Sequence, residues 1–123
     1  MMRPEAIVRE ALDRLNKHDL AGYYDLCADD FLYVGTSTRR GKEQARAVDE
    51  PFLSAIPDHW RRIDRLLVSG DTVAVWLTLG GTPVANGKAF EAELCDVIVV
   101  RDGLIRSLTM YADWPSIMSR LGS

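Results

Sequence analysis

The chain has 123 residues, 47% of them hydrophobic and 27% charged, the usage of an ordinary globular domain long enough to bury a core without disulfides or metal. Fifteen Lys and Arg against eighteen Asp and Glu leave a formal charge of −3, which offers no overall attraction to nucleic acid or to anionic lipid. The start Met1-Met2-Arg3-Pro4-Glu5 leads into an amphipathic stretch, and no run is long enough to span a bilayer, so a cytoplasmic protein with no membrane partner is expected.

Ile7, Val8, Ala11, Leu12 and Leu15 recur at helical spacing behind Pro4, which predicts a first helix. Asp19 is placed to cap a shorter second helix, with Leu20, Tyr23, Tyr24 and Cys27 on one face and Asp29-Asp30 after its end. Phe31 to Gly35 reads as a short strand and Thr36 to Gly41 as a polar loop. A third helix follows with Ala45, Val48 and Phe52 inward, kinked or shortened by Pro51.

Beyond Pro57 the period changes to that of strands. Trp60 to Val68 and Thr72 to Leu79 are joined by a Ser69-Gly70-Asp71 turn. In the second of these, Val73, Val75, Leu77 and Leu79 share one face. Lys88 to Arg101 is the longest strand candidate, Asp102-Gly103 turns the chain, and Leu104 to Ala112 returns it. Asp113, Pro115 and Gly122 bracket a terminal helix carrying Ile117, Met118 and Leu121. Helices first and strands afterwards imply an α+β fold over residues 1–123: one domain, with three N-terminal helices packed in a strongly curved antiparallel sheet. Such a cone holds a ligand if side chains do not fill its wide end.

One residue breaks its local rule. The even positions of the long strand read Phe90, Ala92, Leu94, Asp96, Ile98 and Val100, so a carboxylate interrupts an apolar row that faces the helices. A buried carboxylate must be hydrogen-bonded, paired or protonated, and Asp96 is therefore either a structural link or the acid of a site. On the opposite face Trp76, Val97 and Val99 leave an apolar surface toward water, the kind of patch that a second subunit covers; a homodimer through this outer face is expected.

The segments His18-Asp19-Leu20, Ala28-Asp29-Asp30-Phe31, Gly41-Lys42-Glu43, Ser69 to Val75 and Asp96 to Ile105 resemble the ketosteroid isomerase-like, or nuclear transport factor 2-like, superfamily. That superfamily includes the SnoaL-like polyketide cyclases and limonene epoxide hydrolase, and its fold is cystatin-like. The resemblance implies a cone-shaped α+β barrel. It implies that Asp96 occupies the place of the isomerase's protonated aspartate, and Tyr33 that of a tyrosine helping to hold water in the epoxide hydrolase. It also implies departures. Gly35 stands at the isomerase's general base and Ala11 at its oxyanion tyrosine. Leu77 and Leu79 replace the arginine and aspartate of the epoxide hydrolase, and Met110 replaces an acidic residue.

The register of the last hairpin decides the pocket. A two-residue turn at Asp102-Gly103 puts Thr109 opposite Asp96, whereas a three-residue loop with a bulge, favoured by the superfamily pattern, puts Leu108 and Met110 on its face. The pocket is then an apolar cup in which Trp60, Val75, Leu77, Leu94, Ile98, Leu108 and Met110 are the candidate substrate contacts. Asp96 is the candidate acid, Tyr33 orients substrate or water, and His59 is a reserve base. Two isolated histidines give no metal pattern. Cys27 and Cys95 read as small buried hydrophobes, and Arg39-Arg40 and Arg61-Arg62-Arg65 as solvated basic faces. The expected function is cofactor-free acid–base chemistry of isomerase, cyclase, dehydratase or hydratase type on a small hydrophobic metabolite. A non-catalytic ligand-binding or dimerisation module and a divergent epoxide hydrolase are the alternatives, the latter requiring a second carboxylate within one water of Asp96.

Overall fold

The computed structural model describes residues 2–122. Its elements are α1 (Pro4–Asn16), α2 (Leu20–Asp25), β1 (Cys27–Val34), β2 (Thr38–Arg40), α3 (Lys42–Ser54), β3 (Trp60–Ser69), β4 (Thr72–Gly81), β5 (Phe90–Arg101), β6 (Leu104–Ala112) and α4 (Trp114–Gly122). The strands form one sheet in the order β2-β1-β6-β5-β4-β3. Every pairing is antiparallel except β1 with β6, which is parallel.

Sequence periodicity explains most of this. In α1 the residues Ile7, Val8, Ala11, Leu12 and Leu15 are all buried, and this stripe lies across β3, β4, β5 and β6. Asp19 caps α2 by accepting from the Gly22 N–H at 2.9 Å. On β4 the alternation holds at Val73, Val75, Leu77 and Leu79, all buried. Thr78, on the outward parity, is buried as well, because its hydroxyl donates to Asp64 and accepts from Arg62.

Several boundaries differ from the sequence reading. β1 begins at Cys27 rather than Phe31; Asp29 and Asp30 are exposed within it, and its pairing with β6 slips between Cys27 and Leu32. The stretch expected to be loop contains β2, an exposed edge strand held to β1 through Thr38, Arg39 and Arg40. α3 runs through Pro51 and ends one turn later. Cys27 is buried, but Cys95 is only half-buried on the outer face.

The β5–β6 register pairs Asp96 with Met110 and Ile98 with Leu108, and it slips between Val99 and Val100. The turn itself is the two-residue form, with Arg101 paired to Leu104 across Asp102 and Gly103, both at positive φ. A bulge one step further along, with Arg106 extra in β6, and not a three-residue loop, is what brings Leu108 and Met110 onto the face of Asp96. A second small core of Ile56, Phe90, Ile117 and Leu121 docks α4 beside the wide end of the cone.

Candidate active site

Asp96 sits in mid-β5 between Val75 of β4 and Met110 of β6. It is 4% exposed, and its Oδ1 has no hydrogen-bond partner among the described residues. Burial pushes its pKa up to about 7, against the pull of the Arg61 guanidinium and with the help of Asp49. A carboxyl group so placed holds its proton at neutrality in a good share of molecules, and an unpaired oxygen facing an enclosed space is ready to exchange it.

Tyr33 reaches the same space from β1, opposite Leu108. Burial, then Asp49 and Asp96, raise its pKa, so the phenol stays protonated. A β-carbon at Gly35 would lie 2.7 Å from the Tyr33 hydroxyl, so Tyr33 can lie where it does only because position 35 has no side chain.

Two groups at this site escaped the sequence reading. Asp49, on α3, accepts a hydrogen bond from the Tyr24 hydroxyl at 2.5 Å. Burial raises its pKa, while that hydrogen bond and Arg61 hold it down. The spacing Ala45, Val48, Asp49, Phe52 puts it on the inward stripe of the helix, which was the available signal; Glu50 beside it points to solvent.

The sequence groups Arg61 with Arg62 and Arg65 as a solvated face, and the structure corrects this. In β3 it pairs with Leu79, on the inward parity of β4, whereas Arg62 and Arg65 pair with Thr78 and Trp76. Asn16 fixes the Arg61 main chain from α1, its Oδ1 accepting from the Arg61 N–H at 2.7 Å and its Nδ2 donating to the carbonyl at 2.9 Å.

These groups border two adjoining spaces. A small inner chamber of about 30 Å³ is lined by Asp96 together with Tyr23, Tyr33, Asp49, Arg61 and Met110, among others. That is room for one water or one substrate oxygen. A larger cavity of about 350 Å³ shares Tyr33, Asp49, Arg61 and Met110 with it and extends along Val48, Phe52, Leu94 and Trp114. Its size and apolar walls suit a small hydrophobic ligand.

Of the residues expected to carry chemistry, Asp96 and Tyr33 are brought together and His59 is not. His59 lines a different recess with His18 and Glu50, its ring centroid 4.4 Å from that of His18. Burial first, and then Arg61 and His18, lower its pKa to about 4. Among the expected contacts, Leu94 and Met110 line the large cavity, and Leu108 and Met110 the inner chamber. Val75, Leu77 and Ile98 lie in the main core. Trp60 lies in a surface recess with Asp58 and Thr82, its ring over Gly80. Among the described residues no group of three or more His, Cys, Asp or Glu side chains could hold a metal ion, and no helix is long and apolar enough to cross a membrane.

Residues 8–108 match the SnoaL-like domain family. No curated protein matches the chain. Solved structures share its fold at low identity. An NTF2-like protein of unknown function from Burkholderia pseudomallei superposes with a TM-score of 0.89 at 19% identity, over 100% of each chain. AclR, a proposed hydroxylase from Streptomyces galilaeus, gives 0.84 at 18%, covering 96% of this chain and 94% of its own. A proposed SnoaL-like polyketide cyclase from Jannaschia sp. CCS1 gives 0.81 at 16%, covering 100% and 96%.

Proposed function

This chain belongs to the SnoaL-like domain family, and on that premise we propose that it is an enzyme performing general acid–base chemistry on a small hydrophobic metabolite, of isomerase, cyclase, dehydratase or hydratase type. The observation that carries this reading is the unpartnered Oδ1 of buried Asp96, bordering a chamber of one-atom size next to an apolar cavity. The body of the substrate lies in the large cavity. One of its oxygens enters the chamber, where protonated Asp96 donates to it while Tyr33 orients it. As negative charge builds on that oxygen, the bond to Asp96 strengthens, so the acid favours the transition state over the bound substrate.

A weakly acidic aromatic alcohol such as 2-naphthol tests the arrangement, because its hydroxyl mimics the charge-bearing oxygen. It is expected to bind, and Asp96→Leu should weaken binding severalfold, up to about tenfold, since a hydrogen bond between uncharged groups contributes about 0.5–1.5 kcal/mol. Equal affinity of the variant and the parent overturns the reading. So does a carboxyl-carbon NMR titration placing the Asp96 midpoint in the ordinary carboxylate range near pH 4.

The same proposal includes a second copy of this chain as partner, seated on the outer face of the sheet, where Leu67 is 49%, Trp76 37% and Tyr111 62% exposed.

A further inference from the structure

We propose that the substrate carries a carboxylate and that Arg61 is its anchor, holding it at the threshold between the two spaces while the oxygen that meets Asp96 enters the inner chamber. This rests on the reading of Asp96 as proton donor and names the class of molecule brought to it, a hydrophobic carboxylic acid.

Arg61 borders both the large cavity and the inner chamber. No carboxylate among the described residues forms an ion pair with it, although its neighbour Arg62 has Asp64 at 2.9 Å. Its Nη1 donates to His59 Nδ1 at 3.4 Å, and Nε and Nη2 have no partner among the described residues. Those two nitrogens form the edge of the guanidinium that meets a carboxylate with parallel N–H groups. Asn16 holds the Arg61 main chain from α1 through its N–H and its carbonyl, so the side chain projects from a fixed point. A half-buried cation without a counter-ion at the mouth of an apolar cavity is unfavourable, and an anion that arrives with the ligand offsets that cost. One cation balances one carboxylate, whereas a phosphate ester with two charges leaves an excess beside Asp49.

The anchor also acts on the acid. Tyr23 of α2, Tyr33 of β1, Asp49 of α3 and Arg61 of β3 face the chamber with Asp96, while α1 and β6 bring the apolar Leu15, Leu108 and Met110. Arg61 is the one cation of this set, and its field works against the proton on Asp96 and holds Asp49 ionised. A carboxylate seated on Arg61 cancels that field. Asp96 then keeps its proton more firmly with ligand bound than in the empty cavity, and Asp49, which loses the same support, becomes easier to protonate. The Tyr24 hydroxyl still donates to Asp49, so that carboxyl group stays in place as its charge falls.

The test compares 2-naphthoate with 2-naphthamide, a neutral molecule of the same shape, by titration calorimetry at pH 6. The parent protein should bind 2-naphthoate about tenfold or more tightly than the amide. Arg61→Gln should lose that preference, and Arg61→Lys, which keeps the charge without the paired N–H groups, should retain part of it. Saturating 2-naphthoate should also move the Asp96 carboxyl-carbon midpoint up by about one pH unit, a shift that the amide does not give. Equal affinity of the parent for acid and amide overturns the proposal, and that comparison needs no variant. So does a preference that survives in folded Arg61→Gln, an Asp96 midpoint that 2-naphthoate leaves in place, or tighter binding of 2-naphthyl phosphate than of 2-naphthoate. In each of these cases Asp96-dependent binding of 2-naphthol still supports the acid. Conversely, if 2-naphthol binding ignores Asp96 while 2-naphthoate binding follows Arg61, the acid reading falls and the carboxylate anchor stands.

Discussion

Asp96 and His59 are displaced in opposite directions, and the consequence is measurable in stability. Asp96 has a folded pKa of about 7 against an ordinary value of 3.8. Between those values the folded protein binds the extra proton, so stability falls as pH rises through that window. His59 has a folded pKa of about 4 against 6.5; there the unfolded chain binds the extra proton, and stability rises with pH. The two contributions oppose each other from about pH 4.5 to 6.5, and urea unfolding of the parent should change little across it. Asp96→Asn should give stability that climbs with pH, and His59→Gln stability that falls, each by at most about 1.4 kcal/mol per pH unit. Identical slopes in all three proteins would show that neither group is displaced. Asp96 was legible in the sequence because strand parity exposes a misplaced carboxylate among aliphatic residues. Asp49 was legible only through its helical spacing with Ala45, Val48 and Phe52, a signal masked by Glu50 beside it on a charged helix, and Arg61 was hidden among three nearby arginines of which it alone has inward parity.

At the scale of elements, α4 is a wall as well as a terminus. Asp113 accepts from the Ser116 N–H at 3.1 Å, and Arg120 donates to the Glu91 carbonyl at 2.6 Å. Trp114 and Leu121 face the large cavity, while Ile117, 2% exposed, anchors the helix in the second core without lining that cavity. Ile117→Ala should therefore cost about 2–5 kcal/mol and also weaken 2-naphthol binding, although Ile117 does not border the cavity. A destabilised variant with unchanged affinity would show that α4 does not close it. This helix was readable from its cap and apolar spacing, and so was the Asp-Gly turn, which takes positive φ at both positions; the bulge was not placed by the sequence, because it lies beyond a two-residue turn at Arg106, which carries no turn signal. β2 was not readable: an exposed edge strand held by main-chain bonds carries no burial pattern, and Thr38-Arg39-Arg40 has the composition of a loop. The early start of β1 was masked in the same way by Asp29 and Asp30, which lie in the strand but face solvent.

At the scale of the whole molecule, the sheet has two faces and only one is covered by helices. On the other, Trp76 stands between Arg65, whose guanidinium lies 5.2 Å over its ring, and Cys95, its partner in register on β5. Tyr111 follows opposite Cys95 on β6. Acidic Glu91 and Glu93 and basic Arg62 and Arg65 stand on neighbouring strands around this apolar row. A face carrying both signs can meet its own copy across a twofold axis with unlike charges opposed, whereas a partner of one net sign would leave half of them unmatched. Light scattering should accordingly give twice the chain mass at micromolar concentration. Trp76→Glu, which adds a charge at the centre of the row and removes its largest exposed ring, should give a monomer. Because Trp76 points away from the inner chamber, the Asp96 carboxyl-carbon titration should be the same in that monomer as in the parent. A parent protein that is already monomeric at that concentration would rule out the second copy, and a Trp76→Glu monomer whose Asp96 midpoint has moved would show that the dimer shapes the site.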